Sequence, residues 1–264
     1  VELADSHAHL DAEEFNPDRD KVIERAWAAG VRSLLCPADL TSEESLGRVL
    51  ELRRTYPWII AAAGVHPHQA KLFQSKHLDR IADLAAAGVI AAVGEIGLDF
   101  HYDFSPVSKQ KEALRAQIGL AARLGLPVIL HSRKSGREMA ALVEEEQFGC
   151  GGILHCFTED EETARKMIDL GFLVSFSGIL TYAGARALRE AARAIPSDRL
   201  LIETDSPYLI PEGRRGRVRR NEPAFIVETA ACLAELKALK LAEVGSLTRR
   251  NFERLFGRRE NLSK

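Results

Sequence analysis

Short apolar runs alternate with longer amphipathic stretches along the whole chain. "VRSLLCPA", "WIIAAAGVH", "VIAAVGEIG", "PVILHSR", "GGILHCF", "FLVSFSG" and "RLLIETD" read as strands that are apolar at nearly every position, the pattern of a parallel sheet covered on both faces. Between them lie segments such as "DRDKVIERAWAAG", "SKQKEALRAQIGLAARLG" and "DEETARKMIDLG", whose apolar residues recur at helical spacing. With the opening "VELADSH", the alternation makes eight strand-helix units. Gly30, Gly88, Gly125 and Gly171 fall between a helical pattern and the next strand, where a residue able to take positive φ ends a helix. Eight such units in 264 residues leave little room for a second domain, so the pattern predicts one α/β domain over residues 1–264, a closed (β/α)8 TIM barrel. The alternative, an open doubly wound sheet, announces a phosphate or dinucleotide site with a Gly-rich first turn, whereas here the first strand runs into "HAHLD". The tail "TRRNFERLFG" predicts a short C-terminal helix that packs Phe252, Leu255 and Phe256 against the barrel.

Composition then narrows the function. Hydrophobic residues make up 46% of the chain and charged residues 28%, which suits a globular enzyme and excludes disordered or collagen-like classes. A formal net charge of −2 argues against coating nucleic acid through a general excess of Lys and Arg, so an anionic substrate must be met locally. No apolar run approaches the roughly 20 residues of a membrane span, and no secretory signal precedes the first strand. Cys36, Cys150, Cys156 and Cys232 are widely spaced. The expectation is a cytoplasmic protein with free thiols and no membrane partner.

Candidate chemistry gathers at the strand ends, where the βα loops of a barrel converge. The last polar residues of the predicted strands are His7 and His9, His66, Glu95, His131, His155 and Asp205. His7 and His9, two apart in an extended strand, project from one face. Burying imidazoles and carboxylates together costs on the order of several kcal/mol per unpaired charge unless a cation lies between them. The pattern therefore points to one or two divalent ions, and its imidazoles favour Zn, Mn, Ni or Co. Arg133 shares parity with His131 two residues nearer the mouth, where its guanidinium reaches a bound phosphate or forms a surface ion pair. His66 and His68 share a face with Gly64. Glu203 shares parity with Asp205 and Asp5 with His7, which predicts carboxylates one layer beneath the ligands that accept the remaining ring N–H groups; Glu203 could equally pair with a buried cation. "PEGRRGRVRRNEP" holds five arginines between Arg214 and Arg220. Starting at the mouth, it either attracts a polyanion or is a solvated loop.

The blocks "DSHAHLD", "GVHPH", "GEIGLDFH", "LHSR", "LHCF", "ETDSPYL" and "RRNEP" occur in this order. Together, from about residue 5 to 256, they resemble the TatD family of metal-dependent deoxyribonucleases. The resemblance implies that His7, His9, Glu95 and Asp205 surround one metal and that Glu95, His131 and His155 hold a second, with Glu95 bridging. It points to Mg-supported activity, so that Mg, Mn or Zn are the candidate ions, and to DNA strands or ends as substrate. It makes His66, ahead of His68, and Arg220 candidate substrate contacts and sets Asp99 and His101 beside the site without fixing a role. The expected reaction is hydrolysis of a phosphodiester by a metal-activated water whose proton passes to Asp205. The alternative is an ester or amide hydrolase such as an aminoacyl-tRNA deacylase, because the same water attacks a carbonyl carbon. Without a zinc-finger, helix-turn-helix or RNP signature, recognition is expected to rest on phosphate, sugar and stacking on Phe100, Tyr102 or Phe157.

Overall fold

Eight parallel strands follow one another around the sheet in chain order in the computed structural model, which describes residues 1–257. They are β1 (Leu3–Asp5), β2 (Val31–Asp39), β3 (Ile59–Gly64), β4 (Ala92–Asp99), β5 (Val128–Arg133), β6 (Gly152–His155), β7 (Phe172–Phe176) and β8 (Leu200–Ile202). Helices α1 (Arg19–Ala28), α2 (Glu43–Thr55), α3 (Ser75–Ala86), α4 (Val107–Leu124), α5 (Gly136–Glu145), α6 (Glu161–Asp169), α7 (Arg186–Ala194) and α8 (Ile226–Lys237) each follow the strand of the same number. The predicted (β/α)8 barrel is the observed fold. Local chemistry sets the boundaries: Ser42 and Asp160 cap α2 and α6 by accepting from Ser45 N and Thr163 N. Gly125, with φ of 62°, takes the left-handed conformation that stops α4 before β5.

The barrel interior is built in layers. Ala4, Leu35, Ala62, Ala92, Ile129, Ile153, Leu173 and Leu201, one from each strand, form a single buried cluster. Phe252 joins that cluster, flanked by Leu255 and Phe256, so the apolar floor is plugged from below. These three belong to α9, Leu241–Phe256, which is 16 residues long and starts well before the predicted short helix. The extension has a reason: Val244 and Thr248 are buried along with Phe252, one face continuing against the barrel. Two positions further along β5 to β8, the inward residues are polar: His131, His155, Ser175 and Glu203. The change from apolar floor to polar mouth thus lies within one strand repeat.

Strand β4 departs from simple alternation. Its pairing with β5 shifts register between Val93 and Ile96. Val93 and Ile96 both pack outward in the main core while Ala92 points inward. The irregularity therefore turns Glu95 into the mouth. Gly97 lets β4 and β5 pass closely beside the site, since a Cβ there would lie 2.0 Å from the His131 carbonyl oxygen. The seam between the ends of the sheet closes through Ser6 N to Ile202 O, Asp205 N to His7 O and His9 N to Ser206 O, at 3.1, 2.9 and 2.8 Å. No helix among the described residues is long and apolar enough to cross a membrane.

Candidate metal centre

Glu95 is the hub of the mouth, and its two carboxylate oxygens face different partners. Oε2 lies 3.3 Å from His7 Nε2 and 3.5 Å from His9 Nε2. Oε1 lies 2.8 Å from His155 Nε2, 3.0 Å from His131 Nδ1 and 3.1 Å from His66 Nε2. Asp205 closes the first set, with Oδ1 3.5 Å from His9 Nε2 and 3.9 Å from His7 Nε2. The groups His7–His9–Glu95, Glu95–His131–His155 and His7–His155–Asp205 each bring ligand atoms within 4.8 Å of one another.

His7 and His9 lie just past β1, which ends at Asp5. Ala8 N bonds Leu35 O while His7 O and His9 N bond the chain after β8, at Asp205 N and Ser206 O, so the segment is strung between β2 and the chain that follows β8. The two rings come together as the spacing predicts, with Nε2 atoms 3.1 Å apart. Asp205 likewise lies past its strand, with φ of 53°, so strand parity with Glu203 ends before it.

The electrostatics reflect opposed charges forced together out of water. Although burial opposes it, His155, His66 and His7 hold the Glu95 carboxyl well below the usual carboxylate range. Against the same cost of burial, Glu95 and Glu203 push His155 well up. Burial lowers His7 and His66 to about 4 and raises Asp205 to about 6. Imidazole nitrogens and carboxylate oxygens brought this close are a donor set that fits a divalent cation.

Residues 4–257 match the model of the TatD-related DNase family. The chain belongs to the TatD family. It is 40% identical over 255 residues to the uncharacterized metal-dependent hydrolase YabD of Bacillus subtilis, covering 96% of this chain and 98% of that one. With the TatD protein of Escherichia fergusonii, named a 3'-5' ssDNA/RNA exonuclease, it shares 35% identity over 260 residues, covering 97% and 99%. Among solved structures, YjjV, a TatD homologue from Escherichia coli K12, superposes with a TM-score of 0.89 at 31% identity over 97% of this chain and 98% of that one. This chain is accordingly a TatD-family metal-dependent hydrolase with a TIM-barrel fold.

Around the TatD centre, the supporting residues divide. Glu203 lies beneath His155, with Oε1 3.3 Å from Nδ1, and also accepts from Cys156 N at 2.7 Å. Asp5 does not reach a ring, which corrects the expectation for it. Its carboxylate accepts from Thr204 N at 3.0 Å and Thr204 Oγ1 at 2.6 Å, clamping β1 to the chain after β8. His7 Nδ1 is buried with no hydrogen-bond partner among the described residues. Arg133 is exposed at the mouth, its guanidinium 4.9 Å from the Tyr102 ring centre. Arg220 is engaged elsewhere: it binds Asp18 at 2.5 Å and the Glu14 carbonyl, so its charge is spent on holding the loop. Arg214 pairs with Glu228 and Arg215 with Glu212, which leaves the arginine-rich segment far less basic in place than in sequence. Phe157 is buried and offers no open ring face, and Phe100 is half-buried.

Asp99 is the residue whose role sequence reasoning missed. Its Oδ2 lies 2.7 Å from His68 Nε2 and 3.2 Å from His131 Nε2, while Oδ1 accepts from His101 N and Tyr102 N. The signal was present: Asp99 shares parity with Glu95 beyond the irregularity in β4, in the same "GEIGLDFH" block.

Proposed function

We propose that this chain hydrolyses phosphodiester bonds of nucleic acid, with single-stranded DNA or DNA ends as the preferred substrate, at a two-metal centre formed by His7, His9, Glu95, His131, His155 and Asp205. The observation that carries the reading is the division of Glu95, one oxygen toward His7 and His9 and the other toward His131 and His155. These two sets would hold divalent cations, which when bound would acidify a water and offset charge on the phosphoryl oxygens. Asp205 takes the proton released as water attacks, a task suited to a carboxyl raised by burial to about 6. Glu203 holds His155 from beneath and Asp99 holds His131 from the side, fixing which ring nitrogen faces the centre. We assign the substrate phosphate to Arg133, exposed at the mouth, and to His66, whose Nε2 lies 3.1 Å from Glu95 Oε1. The name borne by the Escherichia fergusonii relative, a 3'-5' ssDNA/RNA exonuclease, supports the choice of substrate.

The test is an assay of metal-stripped protein on single-stranded DNA, abasic DNA, aminoacyl-tRNA and a lactone panel, with Mg, Mn or Zn added separately. Metal-dependent release of nucleotides from single-stranded DNA is expected. Turnover of esters with none on any nucleic acid would overturn the reading.

A further inference from the structure

The loop after β4 carries two exposed aromatic rings beside the mouth. Tyr102 is 41% and Phe104 53% exposed, and their rings stack with centres 5.2 Å apart and planes 28° from parallel. His68 touches both, at 5.6 and 4.8 Å between ring centres, and its ring lies 5.9 Å from His131. A single imidazole thus separates this pad from the ligand cluster. Arg133 places its guanidinium over the face of the Tyr102 ring, 4.9 Å from the ring centre.

The pad is held in place from both ends. Asp99 Oδ1 accepts from His101 N at 2.8 Å and Tyr102 N at 3.0 Å. At the far end the Ser105 hydroxyl donates to His68 O at 2.7 Å, and Gln110 Nε2 donates to Ser105 O at 2.9 Å and to Asp99 O at 3.0 Å. Rings fixed in advance lose little freedom when a ligand arrives. About half of each residue stays in solvent although the loop is braced, so the two neighbouring rings present apolar surface to whatever enters the mouth.

We propose that Tyr102 and Phe104 form a stacking subsite for an unpaired nucleobase, with Arg133 meeting the backbone phosphate next to it. The inference rests on the nucleic-acid reading above and deepens it. An aromatic face accepts any base, so the subsite selects for strandedness rather than for sequence: in a duplex the base faces are already covered by their neighbours. Arg133 supplies locally the attraction for phosphate that a chain of net charge −2 lacks as a whole.

The test compares wild type with a Tyr102→Ala, Phe104→Ala double variant on two single strands of the same backbone, an oligothymidylate and an oligomer of tetrahydrofuran abasic residues. For the oligothymidylate, KM rises roughly tenfold in the double variant, the effect of losing base stacking, with kcat little changed. KM for the abasic oligomer stays as in wild type, and a Tyr102→Phe, Phe104→Trp variant keeps the wild-type KM on both. Equal KM on oligothymidylate in wild type and the alanine variant overturns the subsite. An equal rise on both strands does so too, since it marks a disturbed centre rather than a lost stack. A wild-type enzyme that cleaves neither strand but turns over an ester overturns the nucleic-acid reading itself, and is told apart by that activity.

Discussion

His131 is spanned by two carboxylates: Asp99 Oδ2 lies 3.2 Å from Nε2 on one edge of the ring, and Glu95 Oε1 lies 3.0 Å from Nδ1 on the other. A proton held between Nε2 and Asp99 leaves the Nδ1 lone pair directed at the centre. Asp99→Ala is therefore expected to weaken divalent-metal binding by roughly 10- to 100-fold, read by calorimetric titration of metal-stripped protein with Mn. Asp99→Asn should fall between, because the amide oxygen still accepts an N–H but carries no charge. Unchanged affinity in both variants would show that the ring is oriented by something else.

Asp205→Asn tests the proton acceptor. The amide keeps an oxygen facing His9 but has no basic site, so turnover is expected to drop by roughly 10²- to 10⁴-fold while an oligonucleotide still binds. Single-turnover rates and fluorescence anisotropy separate the two effects. A rate like wild type would remove Asp205 from its proposed role.

Metal should also stabilise the fold. A cation that binds only the folded chain adds about 2.7 kcal/mol when present at 100 times its Kd, so thermal unfolding of metal-stripped protein should move upward on adding Mn or Zn. His131→Ala should show a smaller shift. Melting curves that do not respond to metal in either protein count against a preformed centre.

The loop that carries Arg220 makes a prediction about acid. Hydrogen bonds from Arg220, and then from Arg25, hold the Asp18 carboxyl below its ordinary value despite some burial. A carboxyl whose pKa is lower folded than unfolded contributes stability above the unfolded value, and that contribution is lost as pH falls through the folded one. Asp18→Asn should thus lower stability at neutral pH and flatten its decline below about pH 4, as measured by urea unfolding across pH. Parallel pH profiles for the variant and wild type would mean the pair adds nothing to acid sensitivity.

Phe252 closes the apolar floor from α9 and is fully buried. Phe252→Ala leaves a cavity under the barrel and should cost about 3–5 kcal/mol, seen as a lower urea midpoint with metal affinity little altered, because a whole layer of side chains separates it from the mouth.

The barrel was legible because eight apolar runs with helical stretches between them admit few packings, and the ligand cluster because its residues end those runs. What stayed hidden lies where the chain leaves regular geometry. Asp5 was misplaced because parity was extended past the end of β1, where the clamp to Thr204 takes over. The charge of Arg220 is cancelled by Asp18, a residue 202 positions away in sequence, a pairing that only the folded chain displays. Tyr102 was in view as a stacking residue, whereas Phe104 was not, since a loop without periodicity gives no hint of which ring stays exposed.

The seam joining β1 to the chain after β8 has a consequence for how the protein comes into being. His7 emerges early in synthesis and Asp205 late, and the hydrogen bond from Asp205 N to His7 O forms only when both are available. A ribosome-bound fragment that stops short of the last strand lacks one side of the cation cradle and the clamp that shapes it. The cluster takes His7 and His9 from the start of the barrel, Glu95, His131 and His155 from its middle and Asp205 from beyond the last strand, so on the proposed reading it is completed only as a late event.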